Sequence, residues 1–509
     1  MRAPQMSSGD TTDGSFGSPD ATVAAGVATE ERPTSSRMSD RAAPVAAQAL
    51  PEARAAPSAA GPVESSSGVL MPPLLPGSNA RQSLSFLRDP LAFHLGAARR
   101  TGDVWRLQVM IGGRQIVMTS HPDHAKSLFT AKPADAPSLT GESPLRPVLG
   151  PSSVLILTGD QHMRQRKLLL PPFHGEAIKR YVEMIREIAE REIDSWPLGR
   201  PFALAPRMQA VTLQVIMRGI FGVEGRPAPR STEHRLQETV RRVLHVSTHP
   251  LWLLVEAANA GREDARGPLR AINWLIDRQL YAMIAKRRGA GAGGGRTDVL
   301  SLLLAARDEQ DRPLTDRELR DELATLVFAG HETTANQLAW TFERLLRAPA
   351  AYERLRQTAR SGEGESGRYI EATINEGMRA RPVIPFVARR VARSWQLGEY
   401  VLPAQTPVAI NILALHHRSD VYPDPHVFRP ERFLDRKPGT YTWIPFGGGI
   451  RRCLGAELAM AEQRIVLDAI ARRTDLRAPD PKPEPGRQRN VTMIPHRGGR
   501  VLVTAKHSA

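Results

Sequence analysis

Cysteine is almost absent from this sequence, because Cys453 is the only one in 509 residues. A single thiol excludes a disulfide within the chain, and it excludes an iron–sulfur cluster held by cysteines of this chain alone. Long apolar runs are missing too, since no stretch approaches the roughly 20 residues that a membrane-spanning helix needs. The sequence therefore predicts neither a disulfide framework nor a membrane span.

Acidic residues are too few to balance the basic ones. Lys and Arg number 69 against 53 Asp and Glu, which gives a formal net charge of +16. Residues 1–68 hold five Arg and eight acidic residues, so the remainder of the chain carries +19. The arginines are scattered and do not cluster beside aromatic residues, which argues against a nucleic-acid-binding protein. The charge favours acidic partners.

The first 68 residues are rich in Ala, Ser, Pro and Gly, and Phe16 is their only aromatic residue. Such a segment cannot bury enough apolar surface to offset the entropy lost on ordering, so we predict a disordered leader over residues 1–68. Its beginning has no apolar core and is unlike a secretory signal. Residues 69–509 are expected to form a single domain.

The periodicity of the folded part is mainly helical. Helical spacing runs from Glu176 to Trp196, through much of 236–288, and along a stretch that begins at a capping box of Thr315 and Glu318 and stops before Pro349. At 1.5 Å per residue, this last helix would be a rod of roughly 50 Å. Strands are predicted as a hairpin at 104–119, at 387–412, and as a pair within 490–504. Gly289, Gly291 and Gly294 match a dinucleotide-binding pattern, but a basic helix end precedes them, so we interpret this segment as a linker.

The lone cysteine lies in a loop dense in glycine and arginine, Phe446-Gly447-Gly448-Gly449-Ile450-Arg451-Arg452-Cys453-Leu454-Gly455. Glycines let a backbone approach a flat partner closely, and nearby arginines favour the thiolate that ligates metals. The spacing F-x-x-G-x-R-x-C-x-G resembles the haem-binding loop of cytochromes P450. The resemblance implies that Cys453 is the axial ligand of haem b, with Phe446, Gly449, Arg451 and Gly455 forming part of the cofactor site.

The resemblance extends from about Met71 to Thr504. It implies the cytochrome P450 fold: mainly α with a small β region, a triangular prism crossed by a long central helix. One departure is Gln405, which stands in a predicted turn where the family usually has glycine.

A polar segment, Ala329-Gly330-His331-Glu332-Thr333-Thr334, interrupts the longest apolar helix. A small residue three positions before a hydroxyl makes a notch on one helix face, and the hydroxyl can bond back to the preceding turn. The segment resembles the oxygen-activation motif of cytochromes P450. It implies that Ala329 and Gly330 border the haem, that Thr333 supports oxygen activation, and that Glu332 relays protons. We expect His331, at the variable position of the motif, not to ligate metal.

Three further charged groups are implied by the resemblance. Glu376 and Arg379 form the E-x-x-R pair of the family, and Arg432 is the third member of a buried ionic triad that builds the haem pocket. His162 and Arg166, four apart on a predicted helix, together with Arg390 and Arg451, are expected to bind the two haem propionates, because arginine forms strong bonds with carboxylates.

The resemblance implies a haem-thiolate monooxygenase that inserts one oxygen atom from O2 into an apolar small molecule. The chain has no flavin or nicotinamide motif, so a ferredoxin or flavodoxin with a separate reductase is implied as the electron source. The missing membrane anchor suggests a cytoplasmic protein of bacterial type. Apolar segments at 383–387, 493–494 and 246–255 are the predicted substrate contacts. Two alternatives stay open: a haem-thiolate enzyme that uses peroxide or rearranges its substrate, and a non-catalytic haem sensor.

Overall fold

One helix, α13, runs for 30 residues from Asp316 to Leu345 and organises the rest of the molecule. It begins at the predicted capping box, because Thr315 Oγ1 accepts from the Glu318 N–H at 3.2 Å and Glu318 Oε2 accepts from the Thr315 N–H at 2.8 Å. Thirty residues correspond to about 45 Å. The prediction of a long helix crossing the protein is confirmed.

The computed structural model describes residues 60–62, 70–108, 115–143, 145–225, 227–246, 252–259, 262–289, 296–362 and 366–508. Helices make up most of this part of the chain. In chain order they are α1 Asn79–Arg88, α2 Pro90–Thr101, α3 Pro122–Thr130, α4 Arg146–Leu149, α5 Gly159–Leu169, α6 Glu176–Lys179, α7 Val182–Asp194, α8 Leu204–Phe221, α9 Thr232–Val246, α10 Trp252–Asn259, α11 Pro268–Gly289, α12 Val299–Ala305, α13 Asp316–Leu345, α14 Pro349–Ser361, α15 Ser366–Ala380, α16 Ile412–Leu415 and α17 Ala456–Arg473.

The strands are short. They are β1 Ala60–Pro62, β2 Val104–Gln108, β3 Gln115–Thr119, β4 Phe202–Ala203, β5 Phe386–Arg390, β6 Trp395–Leu397, β7 Tyr400–Leu402, β8 Pro407–Asn411, β9 Thr474–Arg477, β10 Gly486–Arg489, β11 Thr492–Pro495 and β12 Arg500–Lys506. They form sheets in the orders β2-β3-β8-β5, β1-β6-β7, β4-β12-β9 and β10-β11. Only the β3–β8 pairing is parallel among the pairs of strands that the structure describes.

The largest hydrophobic core surrounds the second half of α13. Its buried members come from α7, α8, α13, α14, α15 and α17, with Val501 and Val503 from β12. A second core lies against the first half of α13 and contains residues of α8, α9, α11 and α12. The long helix is therefore buried on most sides, and any face of it that is left open is a candidate site.

Two element predictions differ from the structure in detail. The predicted pair within 490–504 does not form, because β11 pairs with β10, while β12 pairs with β4 and β9. The helical pattern predicted over Glu176–Trp196 corresponds to two helices, α6 and α7, which are separated at Arg180 and Tyr181 and end at Asp194. The predicted hairpin is confirmed by the antiparallel pairing of β2 with β3, and residues 109–114 at its turn lie outside the described residues.

Two other predictions concern the turn at Gln405 and the leader predicted over residues 1–68. Gln405 keeps the turn that glycine would make, with a φ of 68° in the left-handed region, where a side chain adds strain. Strand β1 lies within the segment 1–68 that we predict as a leader, and it pairs with β6. The other residues of that segment, and residues 290–295 of the predicted linker, lie outside the described residues. None of the described helices is both long and apolar enough to cross a lipid bilayer.

Candidate active site

The cysteine loop is a tight turn packed against α3. The Cys453 N–H donates to Phe446 O at 2.9 Å. Gly449 has a φ of 63°, and a Cβ there would come within 2.0 Å of Phe129 O. A Cβ on Gly448 would come within 2.4 Å of the Phe129 ring. These two glycines are therefore required by the close approach of α3, a reason that the sequence did not reveal.

Opposing effects act on the thiol of Cys453. Burial raises its pKa, while the Gly455 N–H and the charges of Arg452 and Arg166 act in the opposite direction. The side chain is nevertheless exposed. A metal cation bound at this sulfur would favour the thiolate further.

A cluster of basic side chains, two of them buried, lies near the thiol. It consists of His162, Arg166, Arg389 and Arg451, which we call the cationic cluster. Burial, followed by the charges of the three arginines, lowers the pKa of His162 to about 4. Burial lowers the pKa of Arg389 and of Arg451 to about 10. None of the three arginines forms an ion pair with any carboxylate in the described part of the chain.

Arg389 replaces Arg390 as the member of this cluster that comes from β5. Successive residues of a strand point to opposite faces, and here Arg389 is 7% exposed beside the Phe129 ring. Arg390 instead binds Glu142 Oε1 at 2.5 Å and Gln405 O at 2.9 Å on the outer side. The structure therefore places Arg390 outside the cluster, and Arg389 is the residue of β5 that we carry into the proposal below. Two adjacent arginines could not be distinguished without the register of the strand.

Arg451 links the cysteine loop to the segment that precedes α5. Its Nη1 donates to Val154 O at 3.0 Å, and its Nη2 donates to Leu157 O. Arg451 and Arg389 line the same small cleft together with Ser138. His162 is 2% exposed, and its Nδ1 is buried without a hydrogen-bond partner in the described structure. The cluster therefore contains an orphaned buried nitrogen in addition to three uncompensated guanidinium groups.

The long helix has one open face in its middle. Ala329 is exposed, and Leu326, Gly330 and Thr333 are partly exposed, whereas most of their neighbours along α13 are buried. Positions 326, 329, 330 and 333 follow the spacing of a single helix face, which we call the open stripe. Leu326 of this stripe and Leu454 beside Cys453 pack against the same hydrophobic core. The predicted notch and the cysteine loop therefore border the same hydrophobic core.

Thr333 bonds back to its own helix. Its Oγ1 donates to Ala329 O at 2.6 Å, which is the contact that the motif predicts. The hydroxyl proton is thereby engaged, and the lone pairs of the oxygen are left to accept a hydrogen bond on the open stripe.

Glu332 lies on another side of α13 and is ion-paired. Its Oε1 accepts from Arg489 Nε at 2.7 Å and from Thr492 Oγ1 at 2.9 Å. Both partners come from the β10–β11 hairpin, and nothing in the sequence indicated them. The structure therefore does not show Glu332 as a free acid beside Thr333.

His331 is held between two helices. Its Nδ1 lies 2.9 Å from Thr212 Oγ1 of α8, and its backbone carbonyl accepts from the same hydroxyl at 2.8 Å. The single hydroxyl proton goes to the carbonyl, so Nδ1 carries the imidazole proton. Burial, aided by the charges of Arg489 and Arg241, lowers the pKa of His331 to about 3. A neutral, hydrogen-bonded histidine fits the expected structural role.

The structure brings Glu376, Arg379 and Arg432 together as an ionic triad. Glu376 and Arg379 are fully buried, with Nε–Oε2 and Nη2–Oε1 distances of 2.7 and 2.8 Å. Arg432 Nε lies 3.1 Å from Glu376 Oε2, and the Arg429 N–H donates to Oε1 at 2.9 Å. Arg379 Nη1 donates to His416 O at 3.0 Å. The carboxylate is thus fully compensated.

The predicted substrate contacts are only partly open. Val383 and Met493 are buried in a small core with Trp340 and Leu413, so they stabilise the fold and are not free to touch a ligand. Phe386, Val387 and Ile494 are partly exposed. Residues 247–251 of the predicted roof lie outside the described residues, while Trp252 begins α10.

The cationic cluster and the cysteine loop fit a haem. Buried charges need compensation, and uncompensated guanidinium groups near a thiol call for an anionic group in the same place. A haem would place two carboxylates with the arginines and its iron with the sulfur of Cys453. The orphaned Nδ1 of His162 fits the same interpretation, since a carboxylate would accept from it.

Comparison with known proteins identifies the family of this chain. The profile of the cytochrome P450 family matches residues 84–503. Putative cytochrome P450 137 of Mycobacterium tuberculosis is 40% identical over 406 residues, which cover 79% of this chain and 83% of that protein. Putative cytochrome P450 135B1 of Mycobacterium bovis is 38% identical over 446 residues, covering 87% and 92%. The chain belongs to the cytochrome P450 family and is a haem-thiolate oxidoreductase of the monooxygenase class.

Solved structures support the fold. A cyanobacterial CYP120A1 with bound retinoic acid superposes with a TM-score of 0.72 at 23% identity, covering 86% of this chain and all (100%) of the other. The heme domain of cytochrome P450DA superposes with a TM-score of 0.72 at 24% identity, covering 86% and 98%. At these identities the likeness shows the fold alone, and it confirms the predicted mainly α architecture with its small sheets.

Proposed function

We propose that this enzyme inserts one atom of O2 into an apolar small molecule, with Cys453 as the iron ligand of haem b. The overall change is RH + O2 + two electrons + two protons to ROH + H2O. Haem bound through a thiolate supplies the activation and cleavage of O2. The observation that carries the proposal is the presence of arginines without carboxylate partners near the exposed thiol of Cys453.

Binding of the cofactor is assigned to the cationic cluster. Arg166, Arg389 and Arg451 would donate to the propionates, and His162 would donate through Nδ1. Each bond would compensate a charge or a donor that burial leaves unsatisfied in the protein alone. Haem binding would therefore be stabilised by guanidinium groups and a histidine that are unfavourably buried in the protein without the cofactor.

Proton movement is assigned to Thr333 and Glu332. Because the Thr333 hydroxyl proton is directed to Ala329 O, its oxygen can accept a hydrogen bond from water or from a group on the open stripe. Glu332 would exchange protons between solvent and this region. Its ion pair with Arg489 means that the carboxylate does this from a fixed position.

An isotope experiment tests the reaction. The purified enzyme is supplied with NADPH, a surrogate ferredoxin and its reductase, and a panel of a fatty acid, a steroid and a monoterpene under 18O2. We expect at least one product to gain a single 18O atom, and Thr333→Ala to lower product formed per NADPH. Products without label, or turnover that needs no reductase, would reject the proposal.

The electron donor is proposed to be a ferredoxin or flavodoxin, which is commonly acidic. The +19 charge of residues 69–509 supports this, and Arg452 is exposed beside Cys453. Raising ionic strength screens exposed charges, so the rate of reduction by ferredoxin should fall as salt increases. Reduction by dithionite is the control and should change little. A ferredoxin rate that is independent of salt would contradict electrostatic docking.

A second candidate is a haem-thiolate enzyme that uses hydrogen peroxide. The placement of Glu332 favours it, because the structure does not show this residue as a free acid beside Thr333. A reaction driven by peroxide does not require protons for the reduction of O2. This candidate predicts product from H2O2 alone at a rate above that of the reductase-driven reaction. The same panel of substrates, supplied with H2O2 or with NADPH, separates the two.

A further inference from the structure

The β10–β11 hairpin holds the carboxylate of Glu332. Arg489 Nε and Thr492 Oγ1 both donate to Oε1, at 2.7 and 2.9 Å. The side chains of Arg489 and Glu332 are only 9% and 11% exposed, so the ion pair is largely shielded from water. Arg489 forms no other ion pair within the described residues. All contacts between the hairpin and this carboxylate fall on one oxygen.

The hairpin is fixed to α13 at a second point. Trp340 Nε1 donates to Met493 O at 3.0 Å, and the Met493 N–H donates to Val383 O at 2.6 Å. At about 100° per residue, Trp340 lies about 80° around α13 from Glu332 and about 20° from Thr333. The hairpin therefore contacts α13 at two positions around the helix, one at the acid and one close to the direction of the hydroxyl. The ion pair holds the acid in a fixed place relative to Thr333.

We propose that Arg489 is a positioning residue for proton delivery, which rests on the function proposed above. By binding Oε1, Arg489 fixes the carboxylate and leaves Oε2 to exchange protons with water. Without Arg489 the carboxylate is no longer held in one position relative to Thr333. Reduction of O2 then ends more often at hydrogen peroxide, by O2 + two electrons + two protons to H2O2, because the proton needed to complete O–O cleavage arrives late.

The test measures where electrons go and needs no known substrate. NADPH, a surrogate ferredoxin and its reductase drive the wild-type enzyme and Arg489→Gln, Arg489→Lys, Glu332→Gln and the Arg489→Gln/Glu332→Gln double variant. Peroxide formed per NADPH is recorded. We expect Arg489→Gln to raise this fraction at least threefold, Arg489→Lys to raise it less, and the double variant to match Glu332→Gln.

Arg487→Gln is the matched control, since Arg487 is in the same strand and forms no ion pair in the described structure. It should leave the peroxide fraction unchanged. A second readout, independent of turnover, is thermal unfolding of the same variants, in which the Arg489 and Glu332 changes should be non-additive. A lowered melting temperature with an unchanged peroxide fraction would show that Arg489 only anchors the hairpin, and would overturn the inference.

Failure of the underlying function is recognisable separately. If wild-type enzyme neither consumes NADPH with the ferredoxin system nor shows a thiolate-type spectrum with carbon monoxide, the proposed function and this inference fall together. If the wild type passes both tests and the Arg489 variants behave like Arg487→Gln, only the inference falls.

Discussion

The ionic triad and the cationic cluster both bury arginines, but only one of them balances its charge. In the triad, Glu376 is fully buried and meets Arg379, Arg432 and a backbone N–H. In the cationic cluster, Arg389 is buried and Arg451 is half-buried, and neither has a carboxylate partner; burial lowers the pKa of each to about 10. We infer from the difference that the compensated arginines build the fold, whereas the uncompensated ones serve to bind an anionic ligand.

Breaking the triad should give the largest loss of stability. Glu376→Ala would leave Arg379 buried without a carboxylate, and we expect the free energy of unfolding to fall by about 3–5 kcal/mol. Urea denaturation followed by circular dichroism measures this change. Glu176→Ala, which removes an exposed pair with Lys179, is the control and should cost less than about 0.5 kcal/mol. Equal effects for the two variants would show that the triad is not an anchor.

Removing an uncompensated arginine should weaken the cofactor instead. A hydrogen bond to a charged group contributes about 1.5–3 kcal/mol, so Arg389→Leu should release haem about 10- to 100-fold faster. Transfer of haem to excess apomyoglobin, followed by absorbance, measures the rate. The variant should lose little or no stability, since it removes a buried charge without a partner. A slower release, or a loss of stability as large as that of Glu376→Ala, would contradict the comparison.

Acid should destabilise the region of the triad through His416. The Ile444 N–H donates to His416 Nε2 at 2.9 Å, and burial, followed by the charge of Arg379, lowers the pKa of His416 to about 3. The unfolded chain takes up this proton near pH 6.5 and the folded one does not, so stability falls as pH drops from 6.5 toward 3. His416→Gln keeps an acceptor but cannot titrate. When the pH is lowered from 7 to 5, His416→Gln should lose about 2 kcal/mol less unfolding free energy than the wild type does. An identical pH dependence of the two proteins would show that His416 does not cause the destabilisation.

The smallest effect is expected at the neighbour of Arg389. Arg390 forms a partly exposed pair with Glu142, and such pairs contribute about 0–1 kcal/mol. Arg390→Leu should therefore change both the unfolding free energy and the rate of haem release little. If it released haem as fast as Arg389→Leu does, the assignment of Arg389 to the cluster would be wrong.

The sequence was most informative where motif and periodicity agree. The capping box located the start of α13, the spacing around Cys453 predicted the loop, and Glu376, Arg379 and Arg432 were predicted to meet and do so in the structure. Each of these depends on residues close in sequence or on a pattern specific to one family. The helical and β-rich regions were likewise predicted from hydrophobic periodicity within short segments.

What could not be predicted depends on register and on distant packing. The choice between Arg389 and Arg390 requires knowing which face of β5 each side chain occupies. Because the two arginines are adjacent in sequence, the sequence alone does not show this. The pair of Glu332 with Arg489 joins positions 157 residues apart, and no local pattern marks it. The pairing of β12 with β4 and β9 likewise joins distant segments. The glycines of the cysteine loop are a further example. The sequence suggests that they allow close approach of a flat partner, whereas the structure shows that Gly448 and Gly449 are also required by the contact with Phe129.

The central claim is that Cys453 ligates haem iron within a site completed by the cationic cluster. The direct measurement is the absorbance spectrum of the reduced protein with carbon monoxide, for the wild type and for Cys453→His. We predict that the wild type shows the red-shifted Soret band that gives the family its name, and that Cys453→His binds haem without that band. The same red-shifted band in both proteins would contradict the claim.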